Sequence, residues 1–133
     1  MKTDEQILEE LKQATSGLLM MSESDYPFEI IRWEAAFDPT AESLRSRAGE
    51  AIAAPVSEQS IDEFFRAAVN ERPDQTSEAC RTAHQYQVLV QLLQENLRDP
   101  KVYRIGERNI HVYIIGKTAS GEWMGVSTQI VET

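Results

Sequence analysis

The last third of the sequence constrains the fold most, because it has the pattern of three consecutive strands joined by short links. The apolar and alternating segments are Val102–Ile105, Ile110–Ile115 and Trp123–Val131, separated by Gly106 and by the turn Thr118–Gly121. Strands that follow one another through tight links pair antiparallel. We therefore expect an antiparallel meander, against which the preceding elements must pack.

Hydroxyl side chains mark the starts of the predicted helices. Thr3 with Gln6 and Ser60 with Glu63 have the spacing of a capping box. A short helix is expected from the turn at residues 38–40 to about Ala48, with Gly49 ending it. The longest helix is expected from Ser77 to the break at Asp99-Pro100, because apolar residues there recur at steps of three and four: Cys80, Ala83, Tyr86, Val90, Leu93 and Leu97.

Residues 28–36 alternate like a strand with one well-buried face. The expected order is helix, strand, two helices, long helix and three strands, which is the order of an α+β fold with one sheet covered by helices. A chain of 133 residues can bury a core without disulfides. We expect residues 1–133 to form one domain.

Charge limits the classes of partner. Asp and Glu number 22 against 13 Lys and Arg, giving a net charge of −9. Such a surface repels phosphate backbones and anionic lipids, so we expect no direct nucleic-acid or membrane binding. It favours encounter with a basic partner, although solubility alone is the alternative explanation. The one cysteine, and an N-terminus without a signal-peptide pattern, favour a cytoplasmic location.

Few residues suggest catalysis. His84 and His111 stand in no metal-ligand spacing, and no glycine-rich phosphate loop is present, so we expect no cofactor. Cys80 and His84 lie four residues apart on one predicted helix, but Cys80 also belongs to the apolar stripe, which favours a core cysteine. An enzyme is therefore the least favoured class.

Three carboxylates, Glu23, Asp25 and Glu29, cluster where a polar loop meets the first strand. This cluster is either a solvated turn or an anionic projection that engages a basic cleft. Charge alone does not distinguish the two interpretations.

Residues 16–29, beginning Ser-Gly-Leu-Leu-Met-Met-Ser-Glu-Ser-Asp, resemble the hallmark segment of the nuclease A inhibitor family. Residues 100–107, 112–118 and 125–133 are similar to the same family. The resemblance implies an α/β/α sandwich with one mixed, mostly antiparallel four-stranded sheet. It also implies a protein that binds a metal-dependent, sugar-non-specific ββα-metal nuclease and occludes its active site.

The resemblance further implies a set of contact residues. Glu23 matches the family's loop glutamate, which pairs with an arginine of the nuclease cleft, and Thr133 matches the terminal threonine that reaches the nuclease magnesium site. Asp74 matches the aspartate of an Asp-Trp pair, whereas no tryptophan follows it in this loop. The expected partner-binding residues are Glu23, Ser24, Asp25, Asp74, Gln75, Glu132 and Thr133.

The resemblance therefore implies a nuclease inhibitor without cofactor or catalytic residues, monomeric when free, whose one link to a metal is Thr133 at the partner's magnesium. The alternative is a non-catalytic binding module of the same fold with a different basic protein or a small-molecule partner. The missing tryptophan keeps this alternative open.

Overall fold

The computed structural model describes residues 3–20, 26–38, 40–49, 54–66 and 77–131, and the statements below concern these residues. Four helices and seven strands lie in these ranges. In chain order they are α1 (Asp4–Thr15), β1 (Leu19–Met20), β2 (Tyr26–Pro27), β3 (Glu29–Trp33), α2 (Ala41–Ala48), β4 (Val56–Gln59), α3 (Ile61–Phe65), α4 (Ser77–Asn96), β5 (Arg98–Ile105), β6 (Asn109–Lys117) and β7 (Trp123–Val131).

The predicted helix starts are confirmed by the capping geometry. The Thr3 hydroxyl accepts from the Gln6 N–H at 3.2 Å, and the Gln6 side chain accepts from the Thr3 N–H at 2.9 Å. The Ser60 hydroxyl accepts from the Glu63 N–H at 3.1 Å in the same way. Each cap satisfies a backbone donor that has no partner within the helix.

The main sheet has five strands in the order β3-β7-β6-β5-β4, and every neighbouring pair is antiparallel. The α+β class and the C-terminal meander are therefore confirmed. The expected four strands and mixed sheet are wrong. The unexpected strand is β4, which pairs with β5 from Val56↔Ile105 to Gln59↔Val102.

One face of the sheet carries the larger of two core clusters, which we call the first core cluster. Helices α1, α3 and α4 supply buried residues to it, including Leu11, Phe65 and Leu89. The buried stripe of α4 includes Leu89, which the sequence analysis did not name, whereas Cys80 is half-buried. Among the described residues, no helix has both the length and the apolar character that crossing a membrane requires.

The opposite face carries the second core cluster, built around Leu44 of α2 with Phe37 and Ile115. Ile114 belongs to the first core cluster and Ile115 to the second, because successive strand residues point to opposite faces. In β3, Ile30 packs in the first core cluster and Ile31 in the second. Ile31 is the buried residue of β3 and Ile30 on its other face is half-buried, so the strand packs more deeply on one face than on the other.

Candidate protein-binding end of the sheet

The sheet has two ends that differ in what surrounds them. Residues 33, 117 and 123 lie at one end, which we call the Trp123 end, because Trp33 and Lys117 both pair with Trp123. At the other, the Val131 end, Val131 pairs with Asn109. The seven expected contact residues, Glu23, Ser24, Asp25, Asp74, Gln75, Glu132 and Thr133, lie outside the described residues. The described residues that flank them can be located.

The flank of residues 21–25 lies near the Val131 end. Strands β1 and β2 pair through Leu19↔Pro27 and Met20↔Tyr26. The buried Thr128 hydroxyl donates to the Pro27 carbonyl at 3.1 Å and also lies 3.5 Å from the Tyr26 carbonyl. Since strands rise about 3.3 Å per residue, Thr128 is ~10 Å from Val131 along β7. Tyr26 is thus held close to the end at which β7 finishes.

The start of α4 points towards the same end. Leu97, which follows α4, lies against Gly116 near the Trp123 end, where a side chain on Gly116 would meet the Leu97 Cβ at 2.8 Å. Tyr86, in the middle of α4, contacts the Phe28 ring with a centroid distance of 6.1 Å. The helix therefore runs from the Val131 end at its start to the Trp123 end at its finish.

Helix α4 is long enough for its start to reach the Val131 end of the sheet. A helix of 20 residues is about 30 Å long, and the eight residues of β5 extend about 26 Å. Residues 67–76 are followed directly by Ser77, the first residue of α4. The flanks at Tyr26, Ser77 and Val131 therefore share one end of the molecule.

Strand β7 holds the chain in place up to Val131. It pairs with β6 over its whole length, from Lys117↔Trp123 to Asn109↔Val131, and with β3 on its other side. Chain ends fray unless they are tied into a sheet. The pairing at Val131 leaves two residues, Glu132 and Thr133, beyond the described strand.

A polar groove of about 380 Å³ opens on the second-cluster face near the Val131 end. We call it the Glu29 groove. Glu29, Ser127 and Tyr113 lie side by side on three adjacent strands, and His111 pairs with Gln129 one step further towards Val131. Arg47 of α2, with Tyr26 and Pro27 of β2, completes the main lining.

Arg47 is already engaged at the margin of the groove. Its Nη2 donates to Glu34 Oε1 at 2.9 Å, and its guanidinium carbon lies 4.8 Å from the centre of the Trp33 ring and 4.9 Å from that of Phe37. The Glu34 carboxylate and the two aromatic rings balance much of the guanidinium charge.

Burial raises the pKa of the Tyr113 phenol, the nearby Arg47 opposes this rise, and the Glu29 charge adds to it. The phenol therefore stays neutral near pH 7 and can both donate and accept a hydrogen bond. The Glu29 side chain is exposed at the mouth of the groove, whereas Tyr113, Ser127 and Gln129 are half-buried.

The residues singled out for catalysis are not brought together. His84 is exposed on α4, Cys80 is half-buried on the same helix, and His111 lies in the Glu29 groove on β6. Across the described ranges, no group of three or more His, Cys, Asp or Glu side chains is arranged to hold a metal ion.

Sequence reasoning missed the Glu29 groove. The sequence did carry a signal for part of it. The short link after Lys117 sets the register of β6 and β7, and in that register Tyr113 pairs with Ser127 and His111 with Gln129. These four polar residues then occupy alternate positions on one face. The contribution of α2 and β2 depends on tertiary packing, for which the sequence carries no local pattern.

The fold and the site define a class: an acidic α+β protein whose three expected contact segments are attached around one end of an antiparallel sheet. The family model described as nuclease A inhibitor-like protein matches residues 5–133, nearly the whole chain. The chain therefore belongs to the nuclease A inhibitor-like family. No curated protein matches it.

Proposed function

We propose that this protein binds a sugar-non-specific ββα-metal nuclease at the Val131 end and occludes its active site. Family membership supports a nuclease inhibitor. The binding mode is supported by the pairing at Tyr26 and Val131 and by the direction and length of α4, which together put the flanks of the segments bearing Glu23, Asp74 and Thr133 at one end. Segments attached around one end of a sheet can contact one partner together.

The chemistry of the proposed contacts suits a nuclease cleft. Glu23 would occupy the place of a substrate phosphate and accept charge-assisted hydrogen bonds from an arginine of the nuclease. Thr133 would direct hard oxygen ligands towards the nuclease Mg²⁺. Ser24 and Asp25, with Asp74 and Gln75, would form the surrounding polar contacts, and Glu132 would add negative charge beside Thr133.

Net charge supports the same partner class. A chain with a net charge of −9 is attracted to a basic cleft, and such attraction raises the rate of association most at low salt. The proposal requires no cofactor and no catalytic residue of its own. It includes an α/β/α arrangement of one domain, supported by α1 and α4 on one sheet face and α2 on the other.

We further propose that the free inhibitor is a cytoplasmic monomer that protects its cell from a nuclease destined for export. Absence of the family's tryptophan after Asp74 favours a nuclease whose surface differs there from the family's usual target. Since tryptophan is a frequent hot spot, its loss should weaken binding to that usual target.

A nuclease titration tests the proposal. A fixed amount of sugar-non-specific ββα-metal nuclease, with Mg²⁺ and plasmid DNA, receives increasing inhibitor. We expect stoichiometric loss of cleavage that extra Mg²⁺ does not relieve. Glu23→Ala and deletion of Thr133 should each shift the titration to higher protein concentration. Glu9→Ala, at an exposed position of α1, is the matched control for lost charge.

Full cleavage at a large excess of wild-type protein would contradict the proposal for that nuclease. A pull-down from the protein's own cell extract, with recovered nuclease activity as the readout, would then separate a different cognate nuclease from a different kind of basic partner. Unchanged inhibition by both site variants would show that the proposed contact surface is wrong.

A further inference from the structure

The Glu29 groove contains a carboxylate that the fold does not use. The Glu29 side chain is exposed, and among the described residues it has no ion pair and no side-chain hydrogen bond. Ser127 of β7 lies between it and Tyr113, and the Glu29 charge raises the pKa of that phenol. By contrast, Glu34, which follows β3, pairs with Arg47, and Glu58 of β4 pairs with Lys101, both at 2.9 Å.

The groove also contains a cation, Arg47, whose charge is paired within the fold. Arg47 is paired with Glu34 and lies over the adjacent Trp33 and Phe37 rings, so less of its charge is available to an incoming group. Glu29 is therefore the carboxylate of this lining without a counter-ion. A partner group entering the groove meets negative charge at its mouth.

The other residues that line the groove indicate which kind of cationic side chain fits it. Ser127 and Gln129 offer an oxygen acceptor each on β7, and Tyr113 offers a hydroxyl and a ring face on β6. Acceptors spread over adjacent strands suit the five donors of a planar guanidinium better than a compact ammonium. A volume of about 380 Å³ is large enough for one long side chain.

We infer that the Glu29 groove is a binding subsite for one arginine side chain of the basic protein partner, with Glu29 as its counter-ion. This inference rests on the proposed function, because the arginine belongs to the bound nuclease. It adds contact residues outside the seven expected ones. Glu29 binds the guanidinium, and Ser127 and Gln129 accept its remaining hydrogen bonds.

The groove is continuous with the proposed contact end. Tyr26 and Pro27 line it, and they follow residues 21–25 directly. Thr128, whose hydroxyl fixes those two residues, also lines the groove. A nuclease bound at the Val131 end therefore lies near Tyr26 and Pro27 in the groove lining, which brings one of its arginines within reach of Glu29.

The test compares Glu29→Gln with Glu9→Gln in binding kinetics against the ββα-metal nuclease used for the titration. Both substitutions remove one exposed negative charge without changing side-chain size. We expect Glu29→Gln to speed dissociation about tenfold, because it removes one partner of a desolvated pair. Glu9→Gln should lower the association rate slightly and leave dissociation unchanged.

A second pair of variants separates a subsite from a general charge effect. Ser127→Ala should speed dissociation in the wild-type protein but add little in the Glu29→Gln background, because both residues hold one guanidinium. Equal dissociation rates for wild type, Glu29→Gln and Ser127→Ala would overturn the inference while leaving inhibition intact. Failure of the wild-type protein to bind the nuclease would instead contradict the proposed function.

Discussion

The two ends of the sheet use their charged and aromatic side chains differently. At the Trp123 end, Arg32 Nε donates to Glu122 at 2.8 Å, with Glu5 at 3.7 Å from its Nη2. The Trp123 indole donates to the Phe37 carbonyl at 2.7 Å. In the Glu29 groove, which extends from mid-strand towards the Val131 end, Glu29 has no such partner among the described residues.

This difference indicates that different regions of the sheet serve stability and binding. Side chains at the Trp123 end satisfy one another, so they hold helices, turns and strands together. In the Glu29 groove, the Glu29 carboxylate leaves its charge for a second molecule. Substitutions at the two ends should therefore change different measured quantities.

The largest effect should come from Trp123→Ala. The side chain packs against Phe37 with ring centroids 6.2 Å apart and also makes the indole hydrogen bond. Its loss should lower the free energy of unfolding by about 3 kcal/mol, measured by urea denaturation. The folded fraction should inhibit nuclease like wild type; weaker inhibition per folded molecule would contradict the division between the ends.

Glu23→Ala should weaken nuclease binding and leave the stability of the fold unchanged. We expect binding to the nuclease to weaken by roughly 2 kcal/mol, about 30-fold in Kd, while the urea midpoint stays at its wild-type value. Isothermal titration calorimetry measures the first quantity and urea denaturation the second. A lowered urea midpoint would show that Glu23 also contributes to the fold.

Two buried threonines give a matched pair, one at each end. Thr118→Val removes a hydroxyl bonded to Ser120 at 2.9 Å, and Thr128→Val removes the one bonded to the Pro27 carbonyl at 3.1 Å. Each should cost about 1 kcal/mol in the free energy of unfolding. We expect only Thr128→Val to weaken nuclease binding, because it releases the strand that follows residues 21–25. Equal binding by the two variants would show that this anchor does not matter.

The smallest effect concerns alkaline pH. Burial raises the pKa of Tyr113 in the folded protein above the value of about 10 in the unfolded chain. The folded state therefore retains this proton more strongly, and the associated stability is complete below pH ~10 and lost as pH rises through the folded pKa. Tyr113→Phe should flatten that alkaline decline, measured by urea denaturation between pH 9 and 11. An unchanged decline would assign it to other groups, Tyr103 among them, whose pKa burial also raises.

Local signals in the sequence predicted most of the helices and the meander. Thr3, Thr40 and Ser60 start helices because a hydroxyl must accept from a backbone N–H within three residues, and that requirement is visible in the sequence. Gly49 ends α2 with a positive φ of 70°, as expected of a left-handed helix cap.

Features set by distant contacts were not predictable in the same way. Val56–Gln59 has one apolar residue and forms a strand because β5 offers it an unpaired edge. The Glu29 groove depends on α2 and β2 reaching the same sheet face, which no short pattern encodes. The expected contact residues came from family resemblance, and the topology added a common end for the segments that carry them.

The position of β7 between β3 and β6 has a consequence for synthesis. The first strand of the five to leave the ribosome, β3, has β7 as its neighbour, and β7 is the last of the five to be made. The nascent chain cannot complete its sheet while residues 123–131 remain in the exit tunnel. The sheet should therefore form only after β7 has left the tunnel, and inhibitory capacity should appear abruptly at that point.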